Sequence, residues 1–336
     1  AITSGEQLVR AITVGVDVAC HLGVASASPL KFFRPGTCGA FGATAAVAIL
    51  RGFGAEQLIS AFGIAHAQLC GTMQAHTEGS PLLAMQMGFN ARNALTASDL
   101  AAQGIPGTRH ILEGPFGFFA LFEGEHCLDE VLPQLGNLWR ITEVAHKPFP
   151  SGRATHGIVD ACLTLRKDQS HVHGDIRSAL ARVPPLTHHL VGRPVSKEMD
   201  INYARLCVRF VAARALISGN VVNEDFTAEA RRDPVTLSLA ERIDIEINNN
   251  PDPNALSPIE LEIEYHNGAR MRSRIDIVYG HPAKPMSRAA WLEKFRSNWR
   301  RSVVPLSDSV CERVIERIDS LPAVTDTATI IDDLVP

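Results

Sequence analysis

The segment Glu260-Leu-Glu-Ile-Glu-Tyr-His-Asn-Gly-Ala-Arg-Met-Arg-Ser-Arg-Ile-Asp-Ile-Val278 gives the clearest structural signal in the sequence. Asn267-Gly268 near its centre supplies the positive φ angle that a tight turn requires. Both arms alternate apolar with charged side chains, which is the pattern of a strand with one buried and one solvated face. The segment therefore predicts a β-hairpin in which residues 259–265 pair with residues 270–278.

Further strands and helices are predicted around this hairpin. Runs of apolar and β-branched residues indicate short strands, at 141–147, 172–176, 188–191 and 242–248. Helical spacing of apolar residues predicts two helices among them, at 155–167 and 203–217. Such a mixture within one stretch of chain is typical of an α+β domain.

The N-terminal part of the chain is different, because it is rich in Ala, Leu, Ile and Gly. Its apolar residues predict helices at 6–22, 39–50, 56–73 and 84–103. Two amphipathic helices follow near the C-terminus, at 287–299 and 307–321. The predicted fold class is multi-domain, α and α+β. It has an all-helical domain at 1–140 that is N-terminally incomplete, a smaller α+β domain at 141–284, and C-terminal helices at 285–336 that return to the helical domain.

Composition excludes several classes of protein. The 336 residues are 46% hydrophobic and carry a formal net charge of -4, so there is no basic surplus to neutralise nucleic-acid phosphates. The longest apolar run that we identify, residues 40–50, is shorter than the roughly 18 to 20 residues of a membrane span. Seven scattered cysteines and a start without a signal-peptide pattern indicate a cytoplasmic protein. Because the chain begins without Met on a predicted helix, we expect further residues upstream.

Motifs for metals and cofactors are missing from the sequence. His171-x-His173 and His188-His189 have no Cys or carboxylate partner at ligand spacing, and neighbouring strand residues point to opposite faces. There is no Gly-x-x-x-x-Gly-Lys-Ser/Thr loop, no Gly-x-Gly-x-x-Gly after a strand, and no Gly-x-Ser-x-Gly elbow. We therefore expect neither a metal ion nor an organic cofactor.

A first basic segment, residues 31–42, runs from a loop into the start of an Ala-rich helix. A helix N-terminus offers free N–H groups and a partial positive charge. Lys31, Arg34 and Thr37 beside it therefore predict a site that holds an anion such as a carboxylate. The alternative is that the glycines of the segment only permit tight helix packing, while Arg34 is solvated.

A second basic segment, residues 146–156, collects Lys147, Arg153 and His156 around a Pro/Gly turn at the predicted domain junction. His156 is a candidate base that takes a proton from a carbon next to a carboxylate, while the two cations hold the substrate. The alternative makes His156 a helix N-terminal residue bonded to the backbone, with Asp160 as an i+4 surface partner.

A third segment, residues 76–92, places a polar turn ahead of a helix. Gln86 on this helix is a candidate to face a pocket. The alternative interpretation is structural: Arg92 lies on the helix surface, and Met85 and Met87 fill the core.

These three segments, in this order and spacing, resemble the MmgE/PrpD family, which includes 2-methylcitrate dehydratase, cis-aconitate decarboxylase and iminodisuccinate epimerase. The matching text covers nearly the whole chain and comprises Gly36-Thr-Cys-Gly-Ala-Phe-Gly42, Gly88-Phe-Asn-Ala-Arg92, Ile111-Leu-Glu-Gly114, Lys147-Pro-Phe-Pro-Ser151 with Thr155-His156 and Asp160, and Pro285-Met-Ser-Arg288 with Lys294-Phe-Arg296. The resemblance implies a helical domain, a smaller α+β lid domain, no obligatory metal or organic cofactor, and a homodimer.

Taken residue by residue, the resemblance implies that His156 is the active-site histidine at the start of a lid-domain helix. Lys147 corresponds to the lysine just before it. The chain departs from the family at Phe33, where many members have His, and at Leu83 and Gln86, where others have Lys and His. These departures imply a substrate that differs from methylcitrate and cis-aconitate.

The predicted function is a cofactor-independent lyase, a dehydratase or decarboxylase, that abstracts a proton next to a carboxylate of a small di- or tricarboxylate. His156 and Lys147 are the catalytic candidates, and the substrate-binding candidates are Arg34, Lys31, Thr37, Arg153 and Gln86. Two alternatives stay open: an epimerase or isomerase of a dicarboxylate, and a non-catalytic dimeric member that keeps the fold. The expected partners are the polycarboxylate and a second copy of the chain, without nucleic acid or membrane.

Overall fold

The computed structural model describes residues 2–167, 173–304 and 306–335. The chain divides into two compact units. Unit 1 comprises Ala1–Met73, Leu82–Glu143 and Ser287–Pro336, and unit 2 comprises Gln74–Pro81 and Val144–Met286. The protein is therefore predominantly helical with a small mixed sheet, and the sheet belongs to unit 2.

The α-helices and strands of the described residues are numbered in chain order. The helices are α1 (Gly5–Ala25), α2 (Arg34–Arg51), α3 (Ala55–His66), α4 (Gln74–Glu78), α5 (Leu82–Ala102), α6 (Leu128–Val131), α7 (His156–Arg166), α8 (Pro185–Val191), α9 (Ile201–Arg205), α10 (Val208–Ser218), α11 (Ala228–Arg232), α12 (Pro234–Glu241), α13 (Arg288–Trp299), α14 (Asp308–Asp319) and α15 (Ala328–Asp332). The strands are β1 (Ile176–Val183), β2 (Ile243–Ile247), β3 (Ile259–Tyr265) and β4 (Arg270–Ile275). A π-helical turn, Phe119–Glu123, precedes α6.

Helices α1 and α2 form the centre of unit 1 and approach each other closely. A Cβ atom on Gly15 would lie 2.7 Å from the Gly42 carbonyl oxygen, so only glycine permits this approach. Helix α1 begins with a capping box, in which Ser4 accepts from the Gln7 N–H and Gln7 accepts from the Ser4 N–H. Aromatic side chains fill the adjacent core, with Phe41 edge-on to Phe118.

Helix α1 is a candidate membrane span that the sequence-based prediction did not include. Its 21 residues are long and apolar enough, by length and composition, to cross a membrane, whereas the longest apolar run identified in the sequence was residues 40–50. The core helix of a soluble protein and a signal sequence near the N-terminus both pass the same test. Asp17 and His21 are both buried on α1, and the helix packs against α2 within unit 1.

The sheet of unit 2 has the strand order β2-β1-β3-β4, with β1 and β2 parallel and the other pairs antiparallel. The predicted hairpin is confirmed: β3 and β4 pair around Gly268, whose φ angle is +83°. On its outer face, glutamates of β3 lie opposite arginines of β4, as in Glu262–Arg272 at 3.1 Å. The inner face of β3 is buried and packs against α7.

Some predicted elements are wrong. Residues 141–147 form no strand, because Arg140–Glu143 is a 3-10 turn and the following residues have no partner strand. The predicted strand 188–191 lies within helix α8, whose first residue is a proline with its φ angle already suited to a helix. His188 and His189 are thus helical neighbours. Of the predicted strand 172–176, Val172 lies outside the described residues, as does His171, and β1 begins at Ile176.

The predicted helices of both units occur, with different bounds. Helix α3 ends at His66, well before residue 73, and the predicted helix 203–217 is divided into α9 and α10 at Leu206–Cys207. The C-terminal helices begin one residue later than predicted, because Ser287 and Ser307 are N-caps whose side chains accept from the backbone.

Candidate functional site

His156 is the first residue of α7, and its side chain is completely buried. Its Nε2 lies 3.3 Å from the Ser151 carbonyl oxygen, and its Nδ1 lies 3.3 Å from Nη1 of Arg153. A carbonyl oxygen only accepts and a guanidinium only donates, so these contacts assign the proton to Nε2 and a lone pair to Nδ1. The ring of Phe149 packs edge-on against the imidazole at 5.3 Å. The geometry holds a neutral imidazole whose basic nitrogen points to a cation.

Arg153 is half-buried, and burial lowers the pKa of its guanidinium. Its Nη1 donates to the Tyr279 carbonyl oxygen at 2.8 Å. Within the part of the chain that the structure describes, Arg153 forms no ion pair with a carboxylate. The Asp160 carboxylate acts in the opposite direction on this pKa, without a direct ion pair. A desolvated guanidinium that makes no direct ion pair is a binding group for a carboxylate.

The turn that carries these residues is held at several points. Ser151 and Thr155 share a hydrogen bond of 2.7 Å between their hydroxyl oxygens, and the Gly152 N–H donates to the Arg205 carbonyl oxygen at 3.0 Å. A Cβ atom on Gly152 would lie 2.8 Å from the Leu206 side chain. These contacts of Ser151, Gly152 and Thr155 therefore fix the entry to α7. Lys147, earlier in the same segment, is exposed.

Asp160 lies one turn along α7, and its role differs from the predicted surface partner of His156. One carboxylate oxygen accepts from Lys284 Nζ at 2.7 Å and from the Tyr279 N–H at 3.0 Å. The contact ties α7 to the segment after β4, which also supplies the carbonyl oxygen bound by Arg153. Lys284, which lies between Pro282 and Pro285, was not among the residues predicted from the sequence.

Arg34, at the start of α2, is occupied by an internal carboxylate. Its Nη2 and Nε lie 2.7 Å and 3.1 Å from Oε2 of Glu123, and Nη2 donates to the Ser28 carbonyl oxygen at 2.9 Å. Glu123 is 4% exposed and lies in the π-helical turn. The alternative of a solvated Arg34 is therefore wrong. Sequence reasoning missed Glu123 because no local pattern marks it.

The remaining candidates of unit 1 occupy different surroundings. Thr37 is fully buried and donates to the Arg34 carbonyl oxygen at 3.4 Å, whereas Lys31 is exposed. Gln86 accepts from the Thr72 N–H at 2.7 Å through Oε1, and its buried Nε2 has no partner among the described residues. Burial raises the pKa of Cys38, beside Thr37, to about 12, so this thiol is not a nucleophile.

Phe33 and Gln86, at which the resemblance implied departures from the family, lie beside one glycine. A Cβ atom on Gly71 would lie 3.6 Å from Phe33 Cβ and 3.6 Å from Gln86 Oε1. The Phe33 N–H also donates to the Gly71 carbonyl oxygen at 2.9 Å. Phe33 and Gln86 thus flank the same short segment.

The described residues include no group of three or more His, Cys, Asp or Glu side chains placed to hold a metal ion. The candidate residues fall into two sets. In unit 2, the structure brings His156 and Arg153 together with Tyr279 and Asp160. In unit 1, Arg34 and Thr37 are neighbours at the start of α2.

Comparison with known proteins identifies the family. The profile of the MmgE/PrpD N-terminal domain matches residues 2–130, and that of the MmgE/PrpD C-terminal domain matches residues 149–319. The chain belongs to the MmgE/PrpD family. The predicted resemblance is therefore confirmed.

Three relatives illustrate where this MmgE/PrpD chain lies in the family. It is 28% identical to cis-aconitate decarboxylase of Homo sapiens over 97% of the chain and 68% of that protein. It is 27% identical to the Mus musculus enzyme of the same name, over 95% of the chain and 66% of that protein, and 27% identical to the Aspergillus terreus enzyme, over 88% and 64%. The chain thus spans about two thirds of the length of these relatives.

Proposed function

We propose that this protein is a cofactor-independent lyase that acts on a small di- or tricarboxylate. The observation that carries the proposal is the half-buried Arg153, which has no carboxylate partner among the described residues and contacts the buried His156. A guanidinium and an imidazole at one turn supply the two functions that the reaction needs, namely a carboxylate anchor and a proton carrier.

In the proposed reaction, a substrate carboxylate binds Arg153 through paired N–H donors. The guanidinium then no longer donates to His156, so the Nδ1 lone pair becomes available to a proton on the carbon next to the carboxylate. The proton moves to Nδ1, and the electron pair of the C–H bond stays on the substrate. Lys147 is the proposed second cation, which polarises a carboxylate oxygen and stabilises the negative charge.

The carbanion formed at this step has two fates. Loss of hydroxide makes the enzyme a dehydratase, and return of a proton to the opposite face makes it an epimerase. A decarboxylase omits the proton abstraction: His156 Nδ1, once released by Arg153, takes a proton from solvent, the C–C bond to the carboxylate breaks, carbon dioxide leaves, and the electron pair left on the carbon takes that proton from the imidazole. The decarboxylase relatives support the lyase class, and we propose a lyase whose substrate is a small di- or tricarboxylate.

The candidates of unit 1 are considered by themselves. Gln86 offers the unpartnered Nε2 donor for a carboxylate, and Lys31 offers an exposed cation. Arg34 and Thr37 are proposed to position the start of α2, because the guanidinium is held by Glu123 and the hydroxyl is buried. The compartment and assembly that we propose are cytoplasmic and homodimeric.

A non-catalytic member is the competing function, and full burial of His156 favours it. Incubation with cis-aconitate, 2-methylcitrate and other polycarboxylates in deuterated water separates the two functions. The enzyme exchanges a substrate proton for deuterium or releases carbon dioxide or water. His156→Gln lowers this rate at least 100-fold, while the control His189→Gln, on the exposed side of α8, keeps it. Binding without turnover by the unaltered chain contradicts the lyase and supports the binding protein.

A further inference from the structure

The main chain after β4 folds back on itself in a short loop of unit 2, residues 279–284, which we call the 279–284 loop. The Gly280 N–H donates to the Lys284 carbonyl oxygen at 2.9 Å, and the Lys284 N–H donates to the His281 carbonyl oxygen at 2.8 Å. The His146 N–H donates to the Gly280 carbonyl oxygen at 2.8 Å. Gly280 has a φ angle of +88°, and a Cβ atom there would overlap the His146 carbonyl oxygen, so the loop requires glycine at this point.

Tyr279, the first residue of this loop, is bound through its main chain on both sides. Its N–H donates to Oδ2 of Asp160 at 3.0 Å, and its carbonyl oxygen accepts from Nη1 of Arg153 at 2.8 Å. Asp160 lies on α7, and Arg153 lies in the 3-10 turn before it. The start of α7 therefore contacts one residue of the loop at two points. The bond to Asp160 fixes the residue that supplies the acceptor for Arg153.

The Asp160 carboxylate attaches the loop to α7 by two bonds. Its side chain is 13% exposed, and the oxygen that accepts from the Tyr279 N–H also accepts from Lys284 Nζ at 2.7 Å. Both donors belong to the 279–284 loop. A carboxylate that is largely removed from water requires such donors, and it binds them more strongly than a neutral acceptor does. Without this carboxylate, the Tyr279 N–H must turn to another acceptor, and the carbonyl group of the same residue moves with it.

Arg153 makes both of its contacts through a single nitrogen. Nη1 donates to the Tyr279 carbonyl oxygen and lies 3.3 Å from His156 Nδ1. Because Nη1 has two protons, a guanidinium that is held at Tyr279 directs its second Nη1 proton towards His156. Within the described residues, Nε and Nη2 of Arg153 donate to no other group, so they remain for a substrate carboxylate. The Tyr279 carbonyl oxygen therefore orients the guanidinium towards both.

We infer that Asp160 is a positioning residue of the proposed active site. Its carboxylate holds the main chain of Tyr279, and the Tyr279 carbonyl oxygen in turn orients Arg153 beside His156. Asp160 itself does not bind the substrate. The inference rests on the function proposed for Arg153 and His156.

The first test needs no substrate. Nitrogen-15 spectra of the full chain with labelled histidine follow the Nδ1 resonance of His156, and Arg153→Met, which has no donor, gives the reference shift. Asp160→Leu has a side chain of similar size without an acceptor, and we expect it to move the resonance in the same direction as Arg153→Met. Asp160→Ala, which leaves space for water, has the same effect and covers the case in which Leu disturbs the fold.

Lys284→Met is the matched control. It removes the ion pair at the same carboxylate oxygen and leaves the bond between Asp160 and the Tyr279 N–H, so the His156 resonance stays in place. Asp160→Asn is the conservative variant, whose amide oxygen still accepts from the Tyr279 N–H. It recovers most of the resonance position of the unaltered chain.

The second test measures turnover of the polycarboxylate that the unaltered chain converts. Asp160→Leu lowers kcat/KM roughly 10- to 100-fold, because a misplaced Arg153 neither anchors the carboxylate nor releases His156 correctly. Lys284→Met and Asp160→Asn stay close to the unaltered chain.

Three results overturn the inference. In the first, Asp160→Leu and Asp160→Ala leave the His156 resonance unchanged. In the second, Lys284→Met moves it as far as they do, which shows that the ion pair acts rather than the Tyr279 main chain. In the third, the resonance moves but kcat/KM does not change. If the resonance moves as expected and the unaltered chain converts no polycarboxylate, the proposed lyase is contradicted, while the role of Asp160 in placing Arg153 is supported.

Discussion

Nη1 of Arg153 lies 3.3 Å from Nδ1 of His156, three residues along the chain. The guanidinium therefore donates to the lone pair that a general base uses. In the reaction that we propose, a substrate carboxylate draws Arg153 away and thereby exposes this lone pair. Substrate binding would then also activate the base.

We expect Arg153→Gln to lower kcat/KM for the proposed polycarboxylate at least 100-fold, because it loses both the carboxylate anchor and the charge that stabilises the carbanion. Arg153→Lys keeps the charge without the paired donors and recovers part of this loss. Steady-state kinetics measure the effect. Arg177→Gln, on an arginine whose side chain is 65% exposed, is the matched control and stays within about twofold of the unaltered protein. Equal activity of Arg153→Gln and the control contradicts the role.

The buried Arg34–Glu123 pair is expected to matter for stability. Glu123→Gln leaves a guanidinium that is largely buried without its counter-charge, and such a loss typically costs about 3–5 kcal/mol of unfolding free energy. The matched control is Glu56→Gln in the exposed pair with Arg109, whose loss changes the unfolding free energy far less because solvent screens both charges. Urea denaturation at pH 7 measures both. Similar small losses in the two variants show that the Arg34 pair is not needed for folding.

Sequence reasoning succeeded where the signal is local. The hairpin was predicted because Asn267-Gly268 and the alternation of β3 and β4 lie within one short segment. The start of a helix close to His156 was likewise predicted from the Pro/Gly turn that precedes it. Residues 188–191 of helix α8 were predicted as a strand, because a short apolar run is too short to show either helical or strand periodicity. Only the packing of unit 2 selects the helix.

The partners of the candidate residues depend on distant parts of the chain. Glu123 is 89 residues from Arg34, and Lys284 is 124 residues from Asp160. A single sequence contains no local pattern that predicts such pairs, because the two residues come together only when separate elements pack. The sequence therefore indicated which residues carry chemistry, while the structure shows that Arg34 is already occupied and that Arg153 has no carboxylate partner among the described residues.

His76 makes the stability of unit 2 dependent on pH. Burial, with Arg193 and His189 nearby, lowers the pKa of its imidazole from 6.5 to about 4. The unfolded chain therefore binds this proton at a higher pH than the folded chain does. Stability falls as pH drops from about 6.5 towards about 4, and no loss from this group occurs above that window. His76→Asn removes this contribution, so its urea midpoint changes less between pH 7 and pH 4.5 than that of the unaltered protein. An identical change in both proteins contradicts the prediction.

The contact between α1 and α2 allows a sharp test, because Gly39 and Gly42 of α2 have different surroundings. A Cβ atom on Gly42 would lie 2.4 Å from the Gly15 carbonyl oxygen and 2.9 Å from Ala19 Cβ, so Gly42→Ala forces the helices apart. We expect it to cost about 1–3 kcal/mol, as overpacking does. A Cβ atom on Gly39 meets nothing within 4 Å, so Gly39→Ala gains about 0.5–1 kcal/mol from helix propensity alone.

The two variants add the same methyl group to the same helix, so helix propensity favours both equally. Opposite shifts of their denaturation midpoints therefore isolate the α1–α2 contact from the propensity of the residue. If Gly42→Ala stabilises the protein, the two helices can separate without a loss of unfolding free energy. That result contradicts the close approach of the helices at Gly15 and Gly42. Gly15→Ala provides the reciprocal change, because its Cβ atom meets the Gly42 carbonyl oxygen at 2.7 Å. It is expected to destabilise unit 1 for the same reason as Gly42→Ala.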